Sequence, residues 1–273
     1  MPTALEHIRP MRGGSQAHLM RANDGYYYVV KFENTPQGRR ILANEWLAGR
    51  LAQTLRLPVP PRVMLDVPPK LIAASPGLAF RVGPKLVPCA PGIQFGSRLP
   101  AKDPHTPIYD WLPEPALATV SNTRAFAGML AFDKWTCNCD GRQLIFCRAE
   151  PGRSLKAYMV DQGFCFNAGE WNFPDSPLRG VYSRNFVYAN VTGWHSFDPW
   201  LARIEKLSES ALFAIGDELP PEWYGDRPAL DRLLAALCIR RRKVRELVWA
   251  VKCSPRAPFA NWGATHAGIA AVA

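Results

Sequence analysis

Apolar residues fall in short runs through the first hundred positions and take on helical spacing mainly afterwards. Residues 26–32, YYYVVKF, form the strongest strand-forming run. Ahead of them, residues 8–32 read as two strands joined by a turn. A glycine-rich stretch, Arg12-Gly13-Gly14-Ser15-Gln16, precedes an apolar run at 17–21, and Asn23-Asp24-Gly25 supplies the hairpin turn. Between 38 and 55, Ile41, Leu42, Trp46, Leu47 and Leu51 recur with the period of an amphipathic helix, and Pro58, Pro60 and Pro61 stop it. Residues 62–80 predict two further short strands. Residues 83–110 are rich in proline and glycine and predict an irregular hinge, Gln94-Phe95-Gly96-Ser97-Arg98 included.

Helical spacing returns at 122–135 through Phe126, Met129, Leu130 and Trp135, with Ser121 or Asn122 as cap. This helix runs into AFDKWTCNCDGRQLIF, residues 131–146. Its polar cluster of Asp133, Asn138, Asp140, Arg142 and Gln143 gives way to a strand at 144–146. A second apolar run, YMVDQGF at 158–164, ends in Asp161 and Gly163. Residues 165–198 are aromatic and irregular, and serve either as a substrate platform or as packing between helices. Residues 199–215 and 229–252 predict helices bridged by LPPEWYGD, and the tail from Ser254 is expected to be poorly ordered.

Composition narrows the classes. A chain of 273 residues accommodates one domain or two packed lobes. No stretch approaches the length of a transmembrane helix, and the N-terminus lacks a signal-peptide core, so a cytoplasmic, non-membrane protein is expected. Seven cysteines do not suggest a disulfide framework, and the spacing of Cys137 and Cys139 does not suit a zinc site. The formal charge of +10 fits nucleic acid or phosphate-rich ligands. Its one dense basic cluster, Arg240, Arg241, Arg242, Lys243 and Arg245, lies in the last helical pattern. A solvated helix face accounts for that cluster, so nucleic acid is not the expected partner.

Three features then matter together. Paired glycines let backbone amides approach phosphate oxygens, although most such loops are only turns. Lys31, in an apolar strand, either faces solvent or pairs with an acid. Glu45, mid-helix, either turns to the sheet to meet Lys31 or belongs to the outer face. Downstream, acids at the ends of neighbouring apolar runs, with amides beside them, have the layout of a phosphoryl-transfer site; the alternative is a polar hairpin and an unrelated turn.

With Gly13-Gly14-Ser15-Gln16, VVKF, NEW, QFGSR, FDKWTCNCDGRQ, VDQG and PPEWYG in kinase order, the chain resembles HipA-like kinase-domain proteins over most of residues 5–250. The resemblance implies an α+β, two-lobed protein-kinase-like fold. Its small, mainly β N-lobe with one helix would occupy 1–100, a larger, mainly α C-lobe 101–253, and a flexible tail 254–273. It also implies ATP and magnesium: Gly13, Gly14, Ser15 and Gln16 over the nucleotide, Lys31 on its phosphates, Glu45 positioning Lys31, and Asp161 on the metal. The family pattern places the catalytic aspartate at Asp140, while the general kinase spacing of Asp, four residues and Asn is also met by Asp133 and Asn138. Ile145 stands where a metal-binding asparagine is expected, leaving Gln143 or Asn138 for that role. The implied activity is phosphorylation of serine or threonine on a protein. Alternatives are a small-molecule kinase on the same fold and a catalytically weak nucleotide-binding regulatory module. HipA-type kinases are associated with a DNA-binding regulatory partner. The extra N-terminal domain of full-length HipA proteins is not expected here, because the glycine loop begins at Gly13.

Overall fold

In the computed structural model, which describes residues 1–148 and 152–264, an N-terminal antiparallel sheet stands on a largely helical C-terminal part. In chain order the elements are β1 (Ala4–Pro10), β2 (His18–Ala22), β3 (Tyr27–Lys31), α1 (Arg40–Thr54), β4 (Arg62–Val67), α2 (Pro69–Ala74), β5 (Ala79–Val82), β6 (Lys85–Pro88) and β7 (Gly92–Arg98). There follow α3 (Glu114–Ala118), α4 (Ala125–Thr136), β8 (Leu144–Cys147), β9 (Lys156–Met159), α5 (Trp200–Lys206), α6 (Glu209–Gly216), α7 (Pro221–Tyr224), α8 (Arg227–Arg240) and α9 (Val244–Lys252). The main sheet has the order β1-β2-β3-β7-β4, with β5-β6 and β8-β9 as separate hairpins. Among the described residues no helix is long and apolar enough to cross a membrane.

Several expectations are corrected. The chain enters the sheet one strand early: β1 is an edge strand of mostly exposed residues with irregular register, so its sequence carries no alternation to read. The second strand expected within 62–80 is preceded by α2, which has Pro69 in its first turn. QFGSR is not hinge but part of β7, paired on both sides with β3 and β4. Its glycine and polar residues mask it because they do interior work. A Cβ at Gly96 would stand 3.1 Å from Val63. The fully buried Gln94 accepts from the Glu33 N–H at 2.8 Å and donates to the Ala90 and Pro91 carbonyls.

In the C-terminal part, Asn122 does not cap α4. Its amide instead binds both backbone groups of Ala157 at 2.9 Å, fastening β9 to the start of the helix. The helical run at 199–215 is two helices, and that at 229–252 is broken by a 3-10 turn at Arg241–Lys243. Residues 254–264 are packed rather than loose: Phe259 is buried, Trp262 joins the rings of Trp194, Phe197 and Trp249, and Gly263 N–H donates to Thr192 O at 2.9 Å. Residues 265–273 of the expected tail lie outside the described residues.

Two apolar cores position the site. The sheet has its own, built from Tyr28, Val30, Phe32, Leu65 and Phe80. Helix α1, although it comes from the N-terminal half of the chain, buries Leu42, Leu47 and Leu51 in the larger core with Phe126, Leu130, Trp135 and Phe166. The helix that carries Glu45 is therefore anchored on the C-terminal side, with one face turned to the sheet.

Candidate functional site at the β8–β9 hairpin

The two polar stretches meet because β8 and β9 pair antiparallel with Leu144 opposite Met159. Extending that register sets residues 140–143 beside 160–163. Val160 N–H donates to Gln143 O at 3.3 Å, and Arg142 Nη1 donates to Val160 O at 3.0 Å. Asp140 and Asp161 thus leave the same end of one hairpin.

Lys31 comes to this end from the last position of β3. It is 6 % exposed and donates from Nζ to Glu45 Oε1 at 2.5 Å and to Asp161 Oδ1. Burial alone would lower the ammonium pKa, but Glu45 and then Asp161 outweigh it and hold it above the ordinary lysine value. Likewise burial would raise Asp161, and Lys31 holds it below the usual carboxylate range. Glu45 does more than pair with Lys31. Its Oε2 accepts from Gln162 N–H at 3.1 Å and its Oε1 from Gly163 N–H at 2.9 Å.

The neighbours of Glu45 extend this grip, which the sequence reading missed. Asn44 donates to the carbonyls of Gly163, Cys165 and Ala168 and accepts from Trp171 Nε1 at 2.8 Å. Trp46 Nε1 donates to Glu218 at 2.9 Å. Each residue of the NEW tripeptide therefore ties α1 to the C-terminal part.

The glycine loop closes the β1–β2 hairpin, with Met11 N–H donating to Ala17 O at 2.7 Å. Since His18 pairs with Val30, the loop stands at the Lys31 end of the sheet. Gly13 and Gly14 are exposed and Gly13 has φ +116°, a conformation that favours glycine. Ser15 is buried, and its carbonyl accepts from Thr35 Oγ1 at 3.4 Å. The Gln16 amide is engaged at both ends by the Arg81 backbone, at 2.7 and 2.9 Å, which pins the loop to β5.

The two candidate aspartates have opposite surroundings. Asp133 is fully buried, with its carboxylate gripped by Arg142 through Nε at 2.8 Å and through Nη2, and by Asn138 Nδ2 at 3.1 Å. Asn138 is itself buried, and its Oδ1 accepts from Asp140 N–H at 3.1 Å. Asp140 is exposed. One of its oxygens accepts from Gly141 N–H at 2.8 Å and the other from Gln143 Nε2 at 2.9 Å. Buried Arg142 thus supports Asp133 on one side and Val160, next to Asp161, on the other.

One member of the basic cluster does not sit on a solvated face. Arg240 is 7 % exposed, pairs bidentately with Asp175 at 2.7 and 2.9 Å, and has Phe173 over its guanidinium.

The family model of the HipA-like kinases matches residues 6–146, just over half of the 273 residues, and the chain belongs to that family. The match spans Lys31, Glu45 and the 133–143 cluster and stops before Asp161. Among solved structures, the chain is similar to the Helicobacter pylori proinflammatory kinase CtkA, with a TM-score of 0.57 at 14 % identity, covering 91 % of this chain and 97 % of that one. It is also similar to hydra Fam20 solved with a sugar, with a TM-score of 0.54 at 13 % identity, covering 92 % and 86 %. These likenesses show the protein-kinase-like, two-lobed fold. No curated protein sequence matches the chain significantly.

A HipA-like kinase family implies a nucleotide with a divalent cation, and the residues present offer groups suited to both. Gln143 and the partly exposed Asp161 offer hard oxygen donors on one hairpin end, which suits a divalent cation. Lys31 keeps its charge while buried, which suits an anionic ligand.

Proposed function

We propose that the chain is an ATP-dependent phosphotransferase acting on a serine or threonine hydroxyl of a protein. The observation that carries this is the buried Lys31, held between Glu45 and Asp161 at the hairpin end that also presents Asp140. In this reading the exposed amides of Gly13 and Gly14 meet phosphate oxygens, with Ser15 and Gln16 fixing the loop beneath them. Lys31 holds the nucleotide phosphates and Glu45 sets its position. Asp161 and Gln143 would hold magnesium, which supplies charge neutralisation on the phosphates when bound.

Asp140 accepts the proton of the acceptor hydroxyl as that oxygen bonds to the γ-phosphorus, the bond to the β-bridging oxygen breaks, and ADP leaves. We assign this role to Asp140 rather than Asp133 because the latter is sealed against Arg142, where no acceptor oxygen reaches it. Asn138, buried and bonded at both ends of its amide, braces Asp133 against the Asp140 backbone and is not needed as a metal ligand. The lobe boundary falls near residue 100, just after β7 ends at Arg98. Seven free cysteines fit a reducing, cytoplasmic setting.

A second reading is a catalytically weak nucleotide-binding regulatory module, favoured by Ile145 in place of the expected asparagine. Magnesium-ATP should raise the melting temperature of the wild type, and Asp161→Asn should abolish that rise. No rise in the wild type would overturn nucleotide binding itself. A rise without any phosphoryl transfer would favour the regulatory module.

A further inference from the structure

The segment after the Asp161 turn is aromatic and poor in regular structure, yet residues 173–181 are gripped from below. Lys134, in the last turn of α4 and 5 % exposed, donates from Nζ to Ser176 O at 2.8 Å and Pro177 O at 3.0 Å. Arg240, from the end of α8, binds the Asp175 carboxylate with two nitrogens. The same guanidinium donates to the Trp135 and Lys134 carbonyls at 2.9 and 3.0 Å, so one cation caps the C-terminus of α4 and holds the segment. Its ring contact with Phe173 adds a third hold.

At its far end the segment is joined to the catalytic loop. Gly180 N–H donates to Asp140 O at 3.0 Å. Gly180 has φ +70°, and a Cβ there would lie 2.6 Å from the Asp133 Cβ, so only glycine allows this approach. Arg179 between the two ends donates to Asn167 Oδ1 at 3.1 Å.

We infer that Lys134 and Arg240 are positioning residues that clamp 173–181 beside Asp140, so that the surface on which an acceptor would lie is set by buried cations rather than by an added phosphate. This rests on the phosphotransferase reading. In many kinases the corresponding order comes from a phosphorylated side chain meeting arginine. Here a carboxylate of the chain itself, Asp175, occupies the arginine, and a lysine takes two backbone carbonyls. Burial lowers the Lys134 pKa to about 8 despite Asp133 beside it, as expected of a charge kept in place at a cost to the fold. Ser176 and Pro177 are exposed, so their carbonyls can turn to water once the lysine is gone.

The test compares the full chain with Lys134→Met, Asp175→Asn and the carboxylate-keeping Asp175→Glu, by hydrogen exchange of peptides covering 173–181, by melting, and by transfer to a degenerate serine/threonine peptide library. Lys134→Met and Asp175→Asn should speed exchange in 173–181 by roughly 10-fold or more while other segments keep their protection. Both should keep the magnesium-ATP melting shift and the KM for ATP, and lower kcat by about 10-fold. Lys134→Met should melt no lower than the wild type, and Asp175→Glu should restore most of the protection and the rate. Unchanged exchange in both variants overturns the clamp, and faster exchange with unchanged kcat overturns its role in transfer. If the wild type neither binds nucleotide nor transfers phosphate, the phosphotransferase reading falls, and the exchange data still decide the clamp.

Discussion

Glu45 accepts the Gly163 backbone N–H at 2.9 Å, and the same oxygen lies 3.3 Å from the point where a Gly163 Cβ would stand. One carboxylate on α1 therefore holds Lys31 of β3 and the backbone of the turn that carries Asp161. The glycine is required by this closeness, since its missing Cβ would also fall 2.7 Å from Ile41 Cγ2.

Gly163→Ala is expected to push α1 off the turn and destabilise the protein by about 1–3 kcal/mol, the usual cost of overpacking. Urea denaturation measures it. In a cycle with Ile41→Ala, which removes the obstructing methyl, the double variant should be more stable than the sum of the single losses by about 1 kcal/mol. Strict additivity would show that the contact with Ile41 is not the cause.

The two aspartates should separate stability from chemistry. Asp133→Asn leaves the buried Arg142 without its counter-charge and should cost about 3–5 kcal/mol in denaturant unfolding. Asp140→Asn, at an exposed position, should stay within about 0.5 kcal/mol of the wild type. A mild Asp133→Asn would contradict the buried pair.

What was legible in the sequence, and what was not, follows from the range of the interactions. YYYVVKF and the spacing of Ile41, Leu42, Leu47 and Leu51 are local patterns, and the strand and helix they predict are present. Lys31 and Glu45 stand 14 residues apart on adjoining elements, so their order suggested a meeting, while the residues alone left Glu45 open between the sheet and the outer face. Arg142 was grouped with its cluster, but its grip on Asp133 depends on how α4 leads into β8. Arg240 read as one of five exposed cations because its partner Asp175 lies 65 residues away in an irregular loop. QFGSR was hidden for a different reason. Gly96 and Gln94 suit a crowded interior strand while lowering the propensity that a sequence pattern registers.

An acid-sensitive element lies beside the glycine loop. His18 is buried against Phe32 and Phe80, with His7 Nε2 at 3.1 Å from its Nδ1. Burial first, and His7 second, lower its pKa from the ordinary 6.5 to about 4. The unfolded chain thus takes up the proton before the folded one does. The stability associated with neutral His18 is full above pH 6.5 and is lost as pH falls from there towards about 4. Melting temperatures across this window should fall with acid in the wild type, and His18→Leu should flatten the slope. The same slope in both would contradict the assignment.

The most direct measurement is transfer of labelled γ-phosphate from magnesium-ATP, to the chain itself or to a degenerate serine/threonine peptide library, by the wild type and by Asp140→Asn. The wild type should incorporate label. Asp140→Asn, with unchanged melting and an unchanged response to nucleotide, should be slower by about 100-fold or more, as for loss of a general base. Label incorporated at the wild-type rate by Asp140→Asn, or by neither protein, would contradict the account.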